Sequence, residues 1–145
     1  MHKGEIAKEN FLSGMNCCQS VVLAFKDEIG LHEEKLKKLS IGFGAGFARQ
    51  RLICGAVSGM NIVLSYILSD GVDKGKIYAI IQNACERFKA ETGSIICGEL
   101  LSGAVAKNTS PVPEERTEKY YKKRPCADLC SLAAEITEEI IQEYK

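Results

Sequence analysis

Four cysteines stand where helices should begin. Cys17 follows Asn16, Cys54 opens the run Cys54-Gly55-Ala56-Val57-Ser58-Gly59, Cys97 lies three residues after Ser94, and Cys126 follows Pro125. A helix N-terminus presents unpaired N–H groups and partial positive charge, which favour a thiolate over a thiol. Arg49 and Arg51 before Cys54, and Lys122, Lys123 and Arg124 before Cys126, add positive potential. All four surroundings should therefore lower a thiol pKa by the same means. A thiolate is both the nucleophile of disulfide exchange and a ligand for soft metals. Cys17, Cys54, Cys97 and Cys126 are thus candidate catalytic residues and candidate metal ligands of one shared sulfur site. The bland reading, cysteine as a small core hydrophobe, applies to any one of them taken alone.

Spacing argues against the simplest metal site. Structural zinc and many iron–sulfur sites take two ligands from one Cys-x-x-Cys element. Here 36, 42 and 28 residues separate the successive candidates, so only tertiary folding can gather them. Without Cys-x-x-Cys-His, covalent haem is not expected. His2 and His32 read as surface residues. Cys85 shares an apolar helix face with Ile81 and Phe88 and reads as core filler. Cys130, one turn beyond Cys126 on the same face, is a candidate resolving thiol or spare ligand. Cys18 points about 100° round its helix from Cys17, so only one of that pair should face the site.

Gly55 and Gly59 give the central helix a flat strip, for close helix packing or for a cofactor beside Cys54. With Arg49 and Arg51 they are the candidate cofactor-binding residues. Gly42, Gly44 and Gly46 resemble a phosphate loop only loosely, since no Gly-Lys-Ser/Thr follows and no clear strand precedes. No nucleotide is expected there. A hinge or close turn positioning Arg49, Arg51 and Cys54 is the better reading.

The elements that must position these residues are helical. Apolar periodicity and end signals predict helices over Gly4–Ser13, Cys17–Ile29, His32–Leu39, Asp73–Thr92 and Glu114–Lys123, with a last one from Pro125. The run Leu52–Leu68 is apolar on every face and should be the buried central helix of a bundle rather than a membrane span. Ser94–Leu101 should be a short turn and Ser102–Pro113 a surface loop. The expectation is an all-α, single-domain bundle of five to seven helices over residues 1–145.

With 19 basic and 19 acidic residues, net charge attracts neither nucleic acid nor an anionic membrane. No apolar signal core follows the N-terminus, which favours a cytoplasmic location, where thiols stay reduced. Seven cysteines in 145 residues are too few for a disulfide scaffold and, being odd, cannot all pair within one chain. So apolar a chain is also compatible with a homo-oligomer.

Asn16-Cys17-Cys18-Gln19-Ser20, Cys54-Gly55-Ala56-Val57-Ser58-Gly59, Gly93-Ser94-Ile95-Ile96-Cys97-Gly98-Glu99 and Arg124-Pro125-Cys126 with Leu132-Ala133-Ala134-Glu135-Ile136 occur in an order with a known counterpart. The chain resembles a family of small proteins described as redox-active and named for their cysteine pattern, C_GCAxxG_C_C. The resemblance runs from about Phe11 to Ile141 and implies a four-cysteine redox site. Members are often encoded near transporter genes, which implies a transporter-associated partner. The family is distantly related to the split-Soret cytochrome, which binds haem and an iron–sulfur centre; the haem is not carried over, because its attachment motif is missing here.

Three functions stand. The first is electron transfer or redox sensing by an iron–sulfur or other thiolate-bound metal centre, with an unidentified redox partner. The second is a thiol–disulfide oxidoreductase, with Cys54 attacking and Cys17 or Cys126 resolving. The third is a non-catalytic metal- or cofactor-binding module serving a transporter or an enzyme. If the protein is an enzyme, it is an oxidoreductase.

Overall fold

Local signals set most helix starts. The Asn16 side chain accepts from the Gln19 amide at 2.9 Å, and the Gln19 side chain accepts from the Asn16 amide at 3.1 Å, closing a reciprocal capping box. Asp73 accepts from the Lys76 amide at 2.9 Å in the same manner. Gly30 and Gly93, at φ 78° and 92°, end their helices in the left-handed conformation.

The computed structural model describes residues 2–144; Met1 and Lys145, the ends of the expected domain, lie outside the described residues. The α-helices are α1 (Lys3–Leu12), α2 (Cys17–Ala24), α3 (Lys26–Ile29), α4 (Glu33–Ser40), α5 (Gly55–Leu68), α6 (Lys74–Thr92), α7 (Cys97–Leu100), α8 (Glu118–Lys123) and α9 (Cys126–Glu143). Six of them run eight residues or longer and make the all-α bundle. α1 lies against α2 and α9, α5 packs on α2 and α9, and α6 flanks α5 and α9. Their facing sides bury Phe11, Phe25, Met60, Leu64, Phe88 and Ile140 almost completely, each contributing roughly 1.5–3 kcal/mol of apolar burial. Among the described residues no helix is long and apolar enough to cross a membrane.

Four boundaries differ from expectation, each for a visible reason. The central helix begins at Gly55, because Leu52–Cys54 is extended and Ile53 pairs with Ile96 in an isolated antiparallel bridge. It also leaves Asn61 and Tyr66 exposed on its outer side. The expected helix 17–29 breaks at Phe25 (φ −107°, ψ 20°), whose ring is buried. α8 starts only after Thr117, whose hydroxyl caps the Tyr120 amide; Glu114 is held instead by arginine side chains. Pro125 precedes α9 and Cys126 is its first residue.

Between α4 and α5 the backbone is unusual. After a 3-10 turn at Ile41–Phe43, Ala45, Gly46, Phe47, Ala48 and Arg49 are consecutive left-handed residues, and Arg51 adds a sixth, with φ from 54° to 74°. The glycine-rich segment forms no ordinary helix, as its composition predicts.

Candidate functional site

Cys17, Cys97 and Cys126 are the first residues of α2, α7 and α9, and Cys54 caps α5. All four line one cavity of about 300 Å³, together with Gly55, Arg49 and Arg51. The isolated bridge sets Cys54 beside Cys97. The Cys54 amide donates to the Ile95 carbonyl at 2.8 Å and the Cys97 amide to the Leu52 carbonyl at 2.6 Å. Two glycines let backbone and cysteines meet. A Cβ on Gly55 would stand 2.9 Å from the Cys17 Cβ, and one on Gly46 would stand 2.6 Å from the Cys97 Cβ.

The left-handed segment brings in the arginines. A non-glycine residue in that conformation costs about 1–2 kcal/mol, so the run persists only where its surroundings over-determine it. Leu52 N–H donates to the Gly46 carbonyl at 2.9 Å, and Gly98 N–H to the Arg51 carbonyl at 3.0 Å. Arg51 Nε donates to the Asn108 carbonyl at 3.0 Å, and Arg49 Nε to the Ser110 carbonyl. These bonds also draw the loop after α7 across the cavity, where Pro111, Pro113 and Glu114 complete its wall. Arg51 Nη1 lies 3.7 Å from Cys97 Sγ.

The expectation of lowered thiol pKa values is wrong. Burial pushes Cys54 up to about 12, outweighing the Ala56 and Val57 amides that face its sulfur and favour the thiolate. Burial likewise raises Cys97, against the pull of the Arg51 guanidinium. The neighbouring Cys126 thiol favours the Cys17 thiolate, and Cys17 in turn raises Cys126; the nearby Cys130 thiol and burial nevertheless hold Cys17 well above its ordinary value. The helix termini are present as expected, but the thiols sit too deep for them to prevail.

The remaining candidates separate in space. Cys18 is fully buried away from the cavity, its pKa pushed up to about 12 by burial. Cys130, also fully buried, lies behind Cys17 and donates to the Cys17 carbonyl at 3.7 Å. Cys85 is half-buried on α6. Gly59 lies outside the cavity wall; its missing side chain admits Val21, whose Cβ would be 2.9 Å from an added methyl. Among the described residues no three Cys, His, Asp or Glu side chains converge closely enough to surround a single ion.

Sequence reasoning missed Glu114, placing it in a helix, and gave Arg116 and Tyr120 no role. Arg116 donates to the Phe11 and Met15 carbonyls at 2.9 and 3.0 Å and stacks 4.3 Å over the Phe11 ring. Arg124 stacks 4.5 Å over Tyr120. The only local signal was the break in helical pattern at Pro111 and Pro113.

The model of the family described as "Putative redox-active protein (C_GCAxxG_C_C)" matches residues 15–140. An uncharacterized protein of Archaeoglobus fulgidus is 27% identical over 156 aligned residues, covering 100% of this chain and 99% of its own. No solved structure matches.

Proposed function

Since the chain belongs to the C_GCAxxG_C_C family of redox-active proteins, we propose that its redox function resides in Cys17, Cys54, Cys97 and Cys126. In this reading they jointly hold an iron–sulfur or other thiolate-bound metal centre for electron transfer or redox sensing. The observation that carries it is the gathering of all four thiols around one cavity of about 300 Å³, from positions as much as 109 residues apart. Among the described residues no three donors close on one ion, so the shared cavity and the thiolate chemistry carry the reading, not a formed ligand set for that group. Such a group would supply one-electron transfer when bound.

The chain's own residues prepare the ligands. A thiol must lose its proton to ligate, and the Arg51 guanidinium beside Cys97 and the Ala56 and Val57 amides facing Cys54 favour the thiolate form. With the thiols protonated when free, loading must release protons, and affinity must rise with pH.

A second reading has its own support. The thiols of Cys17 and Cys126 shift one another's ionisation and both line the cavity, so this pair is a candidate to close a disulfide. They would then yield two protons and two electrons to an acceptor.

Anaerobic purification followed by iron, sulfide and visible-spectrum analysis tests both readings. The proposal expects iron and sulfide with a visible chromophore, lost when all four cysteines are changed to serine. A colourless, metal-free protein with a reversible Cys17–Cys126 disulfide would replace the first reading with the second. Neither metal nor thiol chemistry would overturn both.

A further inference from the structure

We propose that Arg49, Arg51 and Arg124 form a binding site for a small divalent oxyanion, and that the Glu114 carboxylate is its internal stand-in. All three guanidinium groups converge on one carboxylate oxygen, Oε1 of Glu114. Arg124 Nη2 bonds it directly, while the Nη2 atoms of Arg49 and Arg51 stand 3.6 and 3.9 Å away. Those last two separations exceed hydrogen-bonding reach. Both nitrogens are buried and have no hydrogen-bond partner.

This is costly for Arg51 in particular, whose side chain is only 4% exposed. A buried charged donor left unpaired is destabilising. The arginines are nevertheless held rigidly. Arg49 and Arg51 spend their Nε groups on the Ser110 and Asn108 carbonyls, and Arg124 is stacked on Tyr120. Three fixed positive forks thus face a single negative group that satisfies one of them.

A tetrahedral oxyanion meets this demand better than a carboxylate. It carries two charges and presents oxygens in several directions, so separate guanidinium forks can each take one. Glu114 is 32% exposed, so its side chain can turn to solvent while the arginines stay. The cavity of about 300 Å³ leaves room for the ion. Arg51 would then contact it with Nη2 while its Nη1 faces the Cys97 sulfur at 3.7 Å. The anion would lie beside the thiols, whatever they hold.

The test is calorimetric titration of the purified protein with sodium sulfate and with sodium phosphate, against a chloride control of equal ionic strength. One ion should bind per chain. Glu114→Gln removes the competing charge and should tighten binding about tenfold; Arg49→Gln should weaken it at least about tenfold. Circular dichroism checks that each variant is folded, and Arg49 is chosen because its side chain is less deeply buried than that of Arg51. Absence of saturable sulfate or phosphate binding in both the natural protein and Glu114→Gln overturns the proposal. So does unchanged or weaker binding in Glu114→Gln, or unchanged binding in Arg49→Gln. None of these readouts depends on iron or sulfide content, so failure here is separable from failure of the thiol-centre reading.

Discussion

In the frame of α1, α2, α5, α6 and α9, regular helices bury Val21, Met60, Phe88 and Ile140 to 1% exposure or less. The cavity wall over residues 44–54 and 94–117 is made differently. It holds seven residues at positive φ, one isolated bridge, and arginine side chains bonded to loop carbonyls. The frame follows what its residues prefer locally, whereas the wall is held against those preferences by contacts with the rest of the molecule. Strain of this kind collects where geometry matters for function. Stability should therefore reside in the frame, which also carries Cys17 and Cys126, whereas the wall places Cys54, Cys97 and the arginines, and substitutions can separate the two.

The largest effect should come from the frame. Phe88→Ala empties a fully buried site and should cost about 3–5 kcal/mol in urea unfolding. The thiol content and metal loading of the protein that remains folded should not change. A loss of loading as large as the loss of stability would abolish the distinction between the two regions.

The buried thiols provide the next contrast. Cys18 and Cys54, pushed up to about 12, keep their protons in the folded state above the pH at which unfolded thiols ionise. Between about pH 9 and 12 the folded state binds more protons, so stability falls as pH rises through that window and is fully present below it. For each thiol the loss is up to roughly 4 kcal/mol. Urea unfolding of the reduced, metal-free protein should show this decline, and Cys18→Ala should flatten part of it. A slope identical in Cys18→Ala would show that Cys18 does not contribute.

Two glycines on one helix test the boundary itself. Gly55→Ala and Gly59→Ala each press a methyl to within 2.9 Å of a neighbouring Cβ, Cys17 in one case and Val21 in the other. Both should cost about 1–3 kcal/mol by overpacking. Only Gly55→Ala should also lower iron and sulfide content, because only it displaces a proposed ligand. Equal loading in the two variants would mean that the site tolerates movement of Cys17.

The smallest effect is a difference in sign. Ala90, exposed within α6, should lose about 1 kcal/mol on replacement by glycine. Ala48, at φ 55°, should gain up to about 1 kcal/mol from the same change, because glycine removes the left-handed penalty. Thermal unfolding of the two variants gives the comparison directly, and a destabilised Ala48→Gly would show that the segment is not strained.

Much of the frame was legible because its determinants are local. Asn16 before Cys17, Gly30 and Gly93 after their helices, and the period of Val21, Val22, Phe25 and Ile29 act within a turn or two. Glu114 was not legible, because two of its three arginine partners, Arg49 and Arg51, lie more than sixty residues away and a charged residue after Pro113 reads equally well as a helix start. The thiol pKa values were read with the wrong sign for a related reason. The helix dipole is visible in sequence, whereas the depth of burial that overrides it is a property of the whole fold.

By itself the sequence determined the helices, the four cysteines at their starts, and a family resemblance strong enough to expect a redox site. Only the tertiary structure decided that Cys17, Cys54, Cys97 and Cys126 share a cavity, that Cys18 and Cys130 stand behind it, and that three arginines converge on Glu114. Caps and amphipathic periods are encoded by neighbours, and so they can be read in order along a chain. Distances between residues dozens of positions apart arise only when the whole core closes. The Ile53–Ile96 bridge, which no local pattern announces, is the link that sets Cys54 beside Cys97.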